Sequence, residues 1–191
     1  MDSPHLTGFA SRSQGECPAC APIALFVYNR PWHTRQTIEA LRGNECADKS
    51  DLVIFSDAPR SPTASSAVEE VRTYIKAIDG FKSVTVVERP TNWGLARSII
   101  DGVTQLCNQY GEVIVLEDDL VTSRYFLRCM NDALEQYRET EQVISIHGYV
   151  YPVKTSLPDT FFCVERIVGG GRHGNGAGRY SSPMASNCMP R

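Results

Sequence analysis

The stretch "VIVLEDD", residues 113–119, joins four apolar residues directly to three acidic ones. A short apolar run that ends abruptly in polar residues is typical of a buried β-strand. Similar runs occur at 22–28 ("PIALFVY"), 51–57 ("DLVIFSD") and 83–88 ("SVTVVE"), and a weaker one, "QVISIHG", at 142–148. The sequence therefore predicts five strands, the fourth of which ends in a cluster of carboxylates.

Segments with helical periodicity lie between these runs. Apolar residues recur at three- and four-residue spacing over 33–44, 66–79, 95–111 and 124–140. Ser66 and Glu69 stand at capping-box spacing before the second of these helices. Alternating helices and uniformly apolar strands are typical of a mostly parallel sheet that is covered by helices on both faces. We therefore predict an α/β fold of this kind.

The domain limits follow from where the pattern starts and stops. We expect a polar tail over 1–21, one α/β domain over 22–165, and a Gly-rich irregular tail over 166–191. Residues from 169 to the end include no Leu, Ile, Val or Phe, so that segment would contribute little to a core.

The bulk composition narrows the functional class. The chain has 191 residues, is 42% hydrophobic and 21% charged, and is an ordinary globular protein by these values. Its net charge of −3 argues against a nucleic-acid partner. No apolar run approaches the roughly 20 residues that span a bilayer, and residues 1–20 lack a secretory pattern, so we expect a cytoplasmic protein.

The acidic cluster is the strongest candidate for a site. In parallel α/β sheets, ligands bind beyond the carboxyl ends of the strands, which is where Glu117, Asp118 and Asp119 fall. Hard oxygen ligands suit Mg²⁺ or Mn²⁺, and a divalent cation would relieve the repulsion between adjacent carboxylates. The alternative is that the acids favour the dipole of the following helix, which accounts for one acid better than for three.

Other strand ends carry polar residues that fit a nucleotide. Asp57 is placed to accept hydrogen bonds from a nucleoside, although a turn aspartate before Pro59 is an equal alternative. Guanidinium groups at two further strand ends could bind phosphate, unless they are ordinary surface arginines. The candidate donor-binding residues of these loops are Asn29, Arg30, Asn92, Gly94 and Arg97.

Four motifs together resemble bacterial family 2-like glycosyltransferases of the GT-A (Rossmann-like) fold. They are "PIALFVYNRPWHTRQTIEAL", "DLVIFSDAPR", "NWGLARSIIDGV" and "VIVLEDDLVTSRYFLRCMNDALEQY", and the resemblance spans 22–165. It implies a nucleotide-sugar donor, Mn²⁺ or Mg²⁺, and sugar transfer with inversion to an acceptor hydroxyl. The acceptor would be an unidentified glycan or lipid-linked molecule of surface polysaccharide or glycoconjugate synthesis. Peripheral membrane association and the oligomeric state stay open.

The resemblance also implies roles for individual residues. Asp119 would ligate the metal ion, while Glu117 and Asp118 would contact the sugar or metal-bound water. Asp57 would face the base, and Arg30 and Arg97 the nucleotide. The general base of such enzymes comes from the acceptor half, and no residue of this chain matches it, so the catalytic base is unassigned.

The resemblance stops where the glycines begin. Proteins of this type continue into a block resembling "CWGWATWKRSW", whereas this chain has "VGGGRHGNGAG" over 168–178. Suitable codons for residues 167–178 encode that block in another reading frame. Each tryptophan codon of that frame would require a glycine in this frame, and glycines stand at the required positions. The sequence therefore suggests a chain that is out of frame from about residue 166, truncated, and weak in transfer. A flexible Gly-rich loop that closes over the donor is the alternative.

Three other functions share parts of this pattern. A nucleotidyltransferase would need a Gly- and Lys-rich signature after the first strand, which "NRPWHT" lacks. A receiver-like signalling domain would carry its acids after the first and third strands rather than the fourth. A non-catalytic nucleotide-sugar binder is what a truncated enzyme would become.

Overall fold

The computed structural model describes residues 20–149, Lys154 and, for the backbone alone, 184–187. In chain order the described elements are β1 Ile23–Val27, α1 Pro31–Arg42, β2 Asp51–Ser56, α2 Ser65–Ile75, β3 Ser83–Glu88, α3 Leu95–Tyr110, β4 Glu112–Glu117, α4 Phe126–Gln136, β5 Ile146–His147 and β6 Met184–Asn187. The predicted order of alternating strands and helices is confirmed through α4.

The sheet has the strand order β3-β2-β1-β4-β6-β5. β1 pairs in parallel with β2 and β4, and β2 pairs in parallel with β3. The chain builds outward from β1 to β3, then returns to the other side of β1 with β4. This reversal puts the carboxyl ends of β1 and β4 side by side, and such a point is where α/β sheets commonly bind ligands.

Helices cover both faces of the sheet, as predicted. On one face α1, α2 and α4 pack around Leu25, Ile54 and Leu116, all essentially inaccessible to solvent. On the other face α3 packs Leu106 against Phe26 and Phe55. Successive residues of β1, β2 and β4 face opposite sides of the sheet, and both sides are buried, which is why the central residues of these strands are all apolar, whereas β3 at the edge has no fully buried residue.

The far edge of the sheet differs from the prediction. The fifth strand is two residues, Ile146–His147, rather than 142–148, and it pairs antiparallel with β6. A turn precedes it, in which the Val143 N–H donates to the Thr140 carbonyl, and Ile144 is more than half exposed. Within the tail predicted to be irregular, 184–187 form β6 beside β4, since strand pairing satisfies backbone groups whatever the side chains.

Two helix starts also differ from the predictions. α2 begins at Ser65, and no side-chain cap hydrogen bond forms at its start, so the capping box of Ser66 and Glu69 is wrong. α1 begins at Pro31, whose fixed φ and missing N–H suit the first turn of a helix. α3 ends as predicted at Gly111, which adopts a left-handed conformation. Among the described helices, none has the length and apolarity to cross a membrane.

Gly102 allows α3 to approach the sheet closely. A Cβ atom at this position would lie 2.8–2.9 Å from ring carbons of Phe26 and Phe55, whose rings stack with centroids 5.0 Å apart. We expect Gly102→Val to lower the free energy of unfolding by about 2–3 kcal/mol, because the two rings cannot both move aside in a packed core.

Urea denaturation followed by circular dichroism measures this effect. Ala96→Val is the matched control, because it places the same side chain on the exposed surface of α3, where the loss should stay at about 0.5 kcal/mol. A loss at position 102 no larger than that of Ala96→Val would show that the two rings yield to the added side chain, because helix propensity alone favours Val over Gly.

Candidate functional site

The carboxyl ends of β1 and β4 bring the acidic cluster against the segment after β1. The backbone N–H of Tyr28 donates to Asp118 Oδ2 at 3.3 Å. Arg30 Nη1 lies 2.9 Å from Asp119 Oδ2 and 3.8 Å from Asp118 Oδ1. Asn29 is half-buried between Tyr28 and Arg30. The structure therefore places two of the predicted acids beside one of the predicted arginines, although 89 positions separate Arg30 from Asp119 in the chain.

The three acids do not point the same way. Glu117 is the last residue of β4 and shares the alternation of Val113 and Val115, which face α3. Asp118 and Asp119 follow the strand and contact the β1 end instead. The pair that converges is therefore Asp118 and Asp119.

Asp118 is ionisable and almost fully buried, with 7% of its surface exposed. Burial raises the pKa of its carboxyl above the ordinary value of 3.8, and the charge of Asp119 raises it further. The Tyr28 N–H and the charges of Arg30 and His33 act in the opposite direction without cancelling the effect of burial on this pKa. At neutral pH the fold therefore holds a carboxylate whose charge is poorly solvated, as is common at functional sites.

We expect Asp118→Asn to stabilise the metal-free fold at pH 7, by on the order of 1 kcal/mol. Because the folded-state pKa is raised, the folded chain binds more protons than the unfolded chain between about pH 4 and that pKa, so wild-type stability falls as pH rises through this window. The neutral amide of the variant would not incur this loss. Urea denaturation at pH 4, 5 and 7 should show the advantage of the variant growing with pH, and Asp132→Asn on exposed α4 is the matched control for the same chemical change. An advantage that is flat or declines with pH would contradict the prediction.

Asp57 is surrounded by donors from its own chain. Its Oδ1 accepts from the N–H groups of Ala58 at 2.9 Å and Trp93 at 2.8 Å. Its Oδ2 accepts from Asn92 Nδ2 at 3.0 Å and the Gly94 N–H at 2.8 Å. These four bonds match the acceptor capacity of a carboxylate. Asp57 therefore ties the β3–α3 loop to the end of β2, whereas the predicted contact with a nucleoside stays a prediction.

Asn92 and Gly94 belong to this loop and support its shape. Asn92 Nδ2 also donates to the Ala58 carbonyl at 2.7 Å. Gly94 has a φ of +75° at the start of α3, a conformation that side chains rarely adopt. The structure thus brings Asp57, Asn92 and Gly94 together in one hydrogen-bonded unit.

Arg97 lies with a second group of side chains rather than with the acidic cluster. Its guanidinium carbon is 4.1 Å from the Trp93 ring centroid, and that of Arg89 is 4.0 Å from the same centroid. Arg89 is buried and forms an ion pair with Asp101 on α3. Cation–π contacts of this kind fix the orientation of the Trp93 ring at the edge of the site.

Sequence reasoning missed Arg72, which holds two strand ends together. From α2 its Nη2 donates to the Arg89 carbonyl at 2.9 Å and the Asp57 carbonyl at 3.4 Å, and its Nη1 pairs with Glu88 at 3.4 Å. A signal was available, because Arg72 stands four residues after Val68 and three before Ile75, so helical periodicity places it beside the apolar stripe of α2.

Asn44 was also missed, and it positions the loop after the acids. Its Oδ1 accepts from the Leu127 N–H at 3.0 Å, and its Nδ2 donates to Thr122 Oγ1 at 3.0 Å. Nearby, the Leu120 N–H donates to Thr37 Oγ1 at 3.2 Å. The loop from β4 to α4 is therefore anchored at both ends by α1 and the residues that follow it, which fixes where Asp118 and Asp119 lie.

The residues present fit a divalent cation only in part. Within the described segments, no group of three or more His, Cys, Asp and Glu side chains is arranged to hold a metal ion. Asp118 and Asp119 offer carboxylate oxygens, the donor type that Mg²⁺ and Mn²⁺ prefer. Mg²⁺ commonly binds through one or two carboxylates together with substrate phosphates. The donor set therefore fits a cation that a phosphorylated ligand helps to hold.

No protein-family model matches this chain, and a search of curated proteins finds no match. Among solved structures, the chain is similar to a mannosyltransferase from Pyrobaculum calidifontis in complex with GDP-Man and Mn²⁺, at 16% identity, TM-score 0.44, and coverage of 64% of this chain and 34% of that one. It is also similar to S. aureus TarS, at 15% identity, TM-score 0.43, and coverage of 61% and 20%. For TarS 1–349 in complex with UDP-GlcNAc the values are 13%, 0.43, 61% and 32%. The chain spans about a third or less of these proteins, and similarity at this level supplies no argument about function.

Proposed function

We propose that this chain is the nucleotide-sugar-binding part of a metal-dependent glycosyltransferase. One observation carries the proposal: Asp118, Asp119 and Arg30 converge at the carboxyl ends of β1 and β4, which are neighbours in a mostly parallel sheet. A carboxylate pair beside a guanidinium suits a ligand that brings both phosphate and a divalent cation. The sequence resemblance to family 2-like enzymes of the GT-A fold points to a nucleotide-sugar as that ligand.

The candidate site residues have separate roles in the proposed reaction. Asp119, with Asp118 behind it, would hold Mn²⁺ or Mg²⁺, which when bound neutralises charge on the leaving nucleoside diphosphate. Arg30 would donate hydrogen bonds to the phosphate oxygens. Asp57 would keep the loop of Asn92 and Gly94 in place on the donor side, with Arg97 at its edge. Asn29 would line the donor crevice beside Arg30, and Glu117 would contact the sugar or metal-bound water from the α3 side of the sheet.

The wider setting of the reaction belongs to the proposal as well. We propose that the transferred sugar is inverted and that the acceptor is a glycan or a lipid-linked molecule. We also propose a role in surface polysaccharide synthesis and a cytoplasmic location, with peripheral membrane association left open.

We further propose that the chain is out of frame from about residue 166. The nucleotide sequence downstream of residue 165 tests this, because codons that cannot encode the tryptophan block in another frame would refute it.

Calorimetric titration with UDP-, GDP- and other nucleotide-sugars, with Mn²⁺ or with EDTA, tests the central proposal. At least one should bind, and EDTA should weaken binding at least about 100-fold, the loss expected when the metal ion is removed. Release of diphosphate separates an enzyme from a non-catalytic binder, which is the second candidate because the family resemblance assigns no general base in this chain. Failure of every nucleotide-sugar to bind with Mn²⁺, together with aspartate labelling by acetyl phosphate, would favour a receiver-like domain instead.

A further inference from the structure

We propose that Arg30 is an internal counter-cation: it occupies Asp119 until a metal ion displaces it, and it then binds the diphosphate of the donor. This inference rests on the proposed function and adds a coupling between metal and donor binding. It assigns to Arg30 two successive partners, the acidic pair and the phosphates, rather than the phosphates alone.

The contact distances put Arg30 and a metal ion in competition for the same oxygen, Asp119 Oδ2. Arg30 Nη1 is 2.9 Å from Asp119 Oδ2, the distance of a charge-assisted hydrogen bond. A Mg²⁺ ion would need a carboxylate oxygen at roughly 2.1 Å and would repel the guanidinium. Since Asp119 Oδ2 faces Arg30, binding a cation there requires that Arg30 move.

Arg30 is free to move, whereas the acid behind it is not. Its side chain is 46% exposed, and it makes no side-chain cap hydrogen bond to α1. Its backbone carbonyl accepts from the Thr34 N–H at 2.9 Å, so α1 can keep its first turn when the side chain leaves. Asp118, by contrast, is buried and held by the Tyr28 N–H.

The diphosphate of the donor would supply ligands to the metal ion and a new anionic partner to the displaced Arg30 side chain. Two carboxylates leave most positions around a divalent cation without a protein ligand, and phosphate oxygens can fill some of them. The displaced guanidinium loses the acidic pair and gains phosphate oxygens, with which it can form bidentate bonds. Metal and diphosphate should therefore each strengthen the binding of the other.

Removing the guanidinium should change metal and nucleotide affinity in opposite directions. We expect Arg30→Gln to bind Mn²⁺ alone about 3- to 5-fold more tightly than the wild type, since a partly exposed ion pair no longer competes. The same variant should bind UDP or GDP in saturating Mn²⁺ at least about tenfold more weakly. Free Mn²⁺ is measured by electron paramagnetic resonance, and nucleotide affinity by calorimetry.

Arg124→Gln is the matched control. It removes one positive charge from the loop after the acids, where Arg124 pairs with Glu45 at 3.3 Å, and it should leave Mn²⁺ affinity unchanged within about twofold. Equal or weaker Mn²⁺ binding by Arg30→Gln, with intact wild-type binding, would overturn the inference and leave the proposed function standing. An equal gain in both arginine variants would also overturn it, because a general charge effect would then suffice. If neither the wild type nor Arg30→Gln binds Mn²⁺, with or without UDP or GDP, the proposed function and the inference both fail.

Discussion

Replacing Asp57 by alanine is expected to lower the free energy of unfolding by about 3–4 kcal/mol. The change leaves three backbone N–H groups and the Asn92 amide without their acceptor at a site where Asp57 is 8% exposed. An unsatisfied buried donor costs about 1–3 kcal/mol, and the loop will recover part of this by relaxing toward water. The effect should thus rank with the larger single-residue losses seen in proteins.

Urea denaturation followed by tryptophan fluorescence measures this loss, because Trp93 lies in the loop that Asp57 holds. Asp79→Ala is the control: the Asp79 side chain is 78% exposed and pairs with Arg42, so its removal should change stability by less than about 0.5 kcal/mol. Asp57→Asn should fall between the two, since it keeps one acceptor oxygen but turns an N–H₂ group toward other donors. A loss below about 1 kcal/mol in Asp57→Ala would mean that water replaces the carboxylate, and that the loop is not anchored as the structure indicates.

Asp119→Asn is expected to weaken Mn²⁺-dependent binding of the nucleotide by at least about 100-fold. Removing the charge of a direct metal ligand should cost more than the roughly 10- to 100-fold losses caused by outer-shell substitutions. The fold should survive, because the ion pair of Asp119 with Arg30 is partly exposed and contributes at most about 1 kcal/mol. Binding and stability should therefore separate in this variant.

Calorimetric titration of UDP and GDP in Mn²⁺ and in EDTA checks this prediction. The wild type in EDTA should behave like Asp119→Asn in Mn²⁺, and EDTA should change little in the variant. Asp132→Asn is the control, because it makes the same chemical change at an exposed position of α4 whose partner is Arg128. Retention of wild-type, metal-dependent affinity by Asp119→Asn would remove Asp119 as the ligand and leave Asp118 as the remaining candidate.

Much of the fold was predictable because its signals are local. The apolar runs around Leu25, Ile54 and Ile114 predict strands buried on both faces, and the periodicity around Leu106 predicts α3 with its end at Gly111. The edge of the sheet was not predictable in this way. β5 is defined by its partner β6 rather than by its own side chains, and a pattern in one segment carries no information about such pairing.

For the candidate site, the location was predictable from the sequence, but the contacts between side chains were not. The order of strands in an α/β sheet implies that strand-end residues meet, so Asp118, Asp119 and Arg30 could be expected at one edge. Which atoms meet could not be derived. Asp57 is an example. Its position at a strand end suggested a contact with a ligand, whereas in the structure the Gly94 N–H donates to the Asp57 carboxylate.

The sequence by itself determined the classes of element and the edge of the sheet at which the chemistry gathers, because strand burial and helix periodicity depend on neighbours within a few residues. Only the tertiary structure decided that Arg30 rests on Asp119, that Asp57 is surrounded by donors of its own chain, and that Gly102 lies against two aromatic rings. Each of these contacts joins residues from different elements, 36 or more positions apart for Arg30 with Asp119 and for Asp57 with Trp93. Their distances depend on how helices and strands pack, a property that no single segment carries.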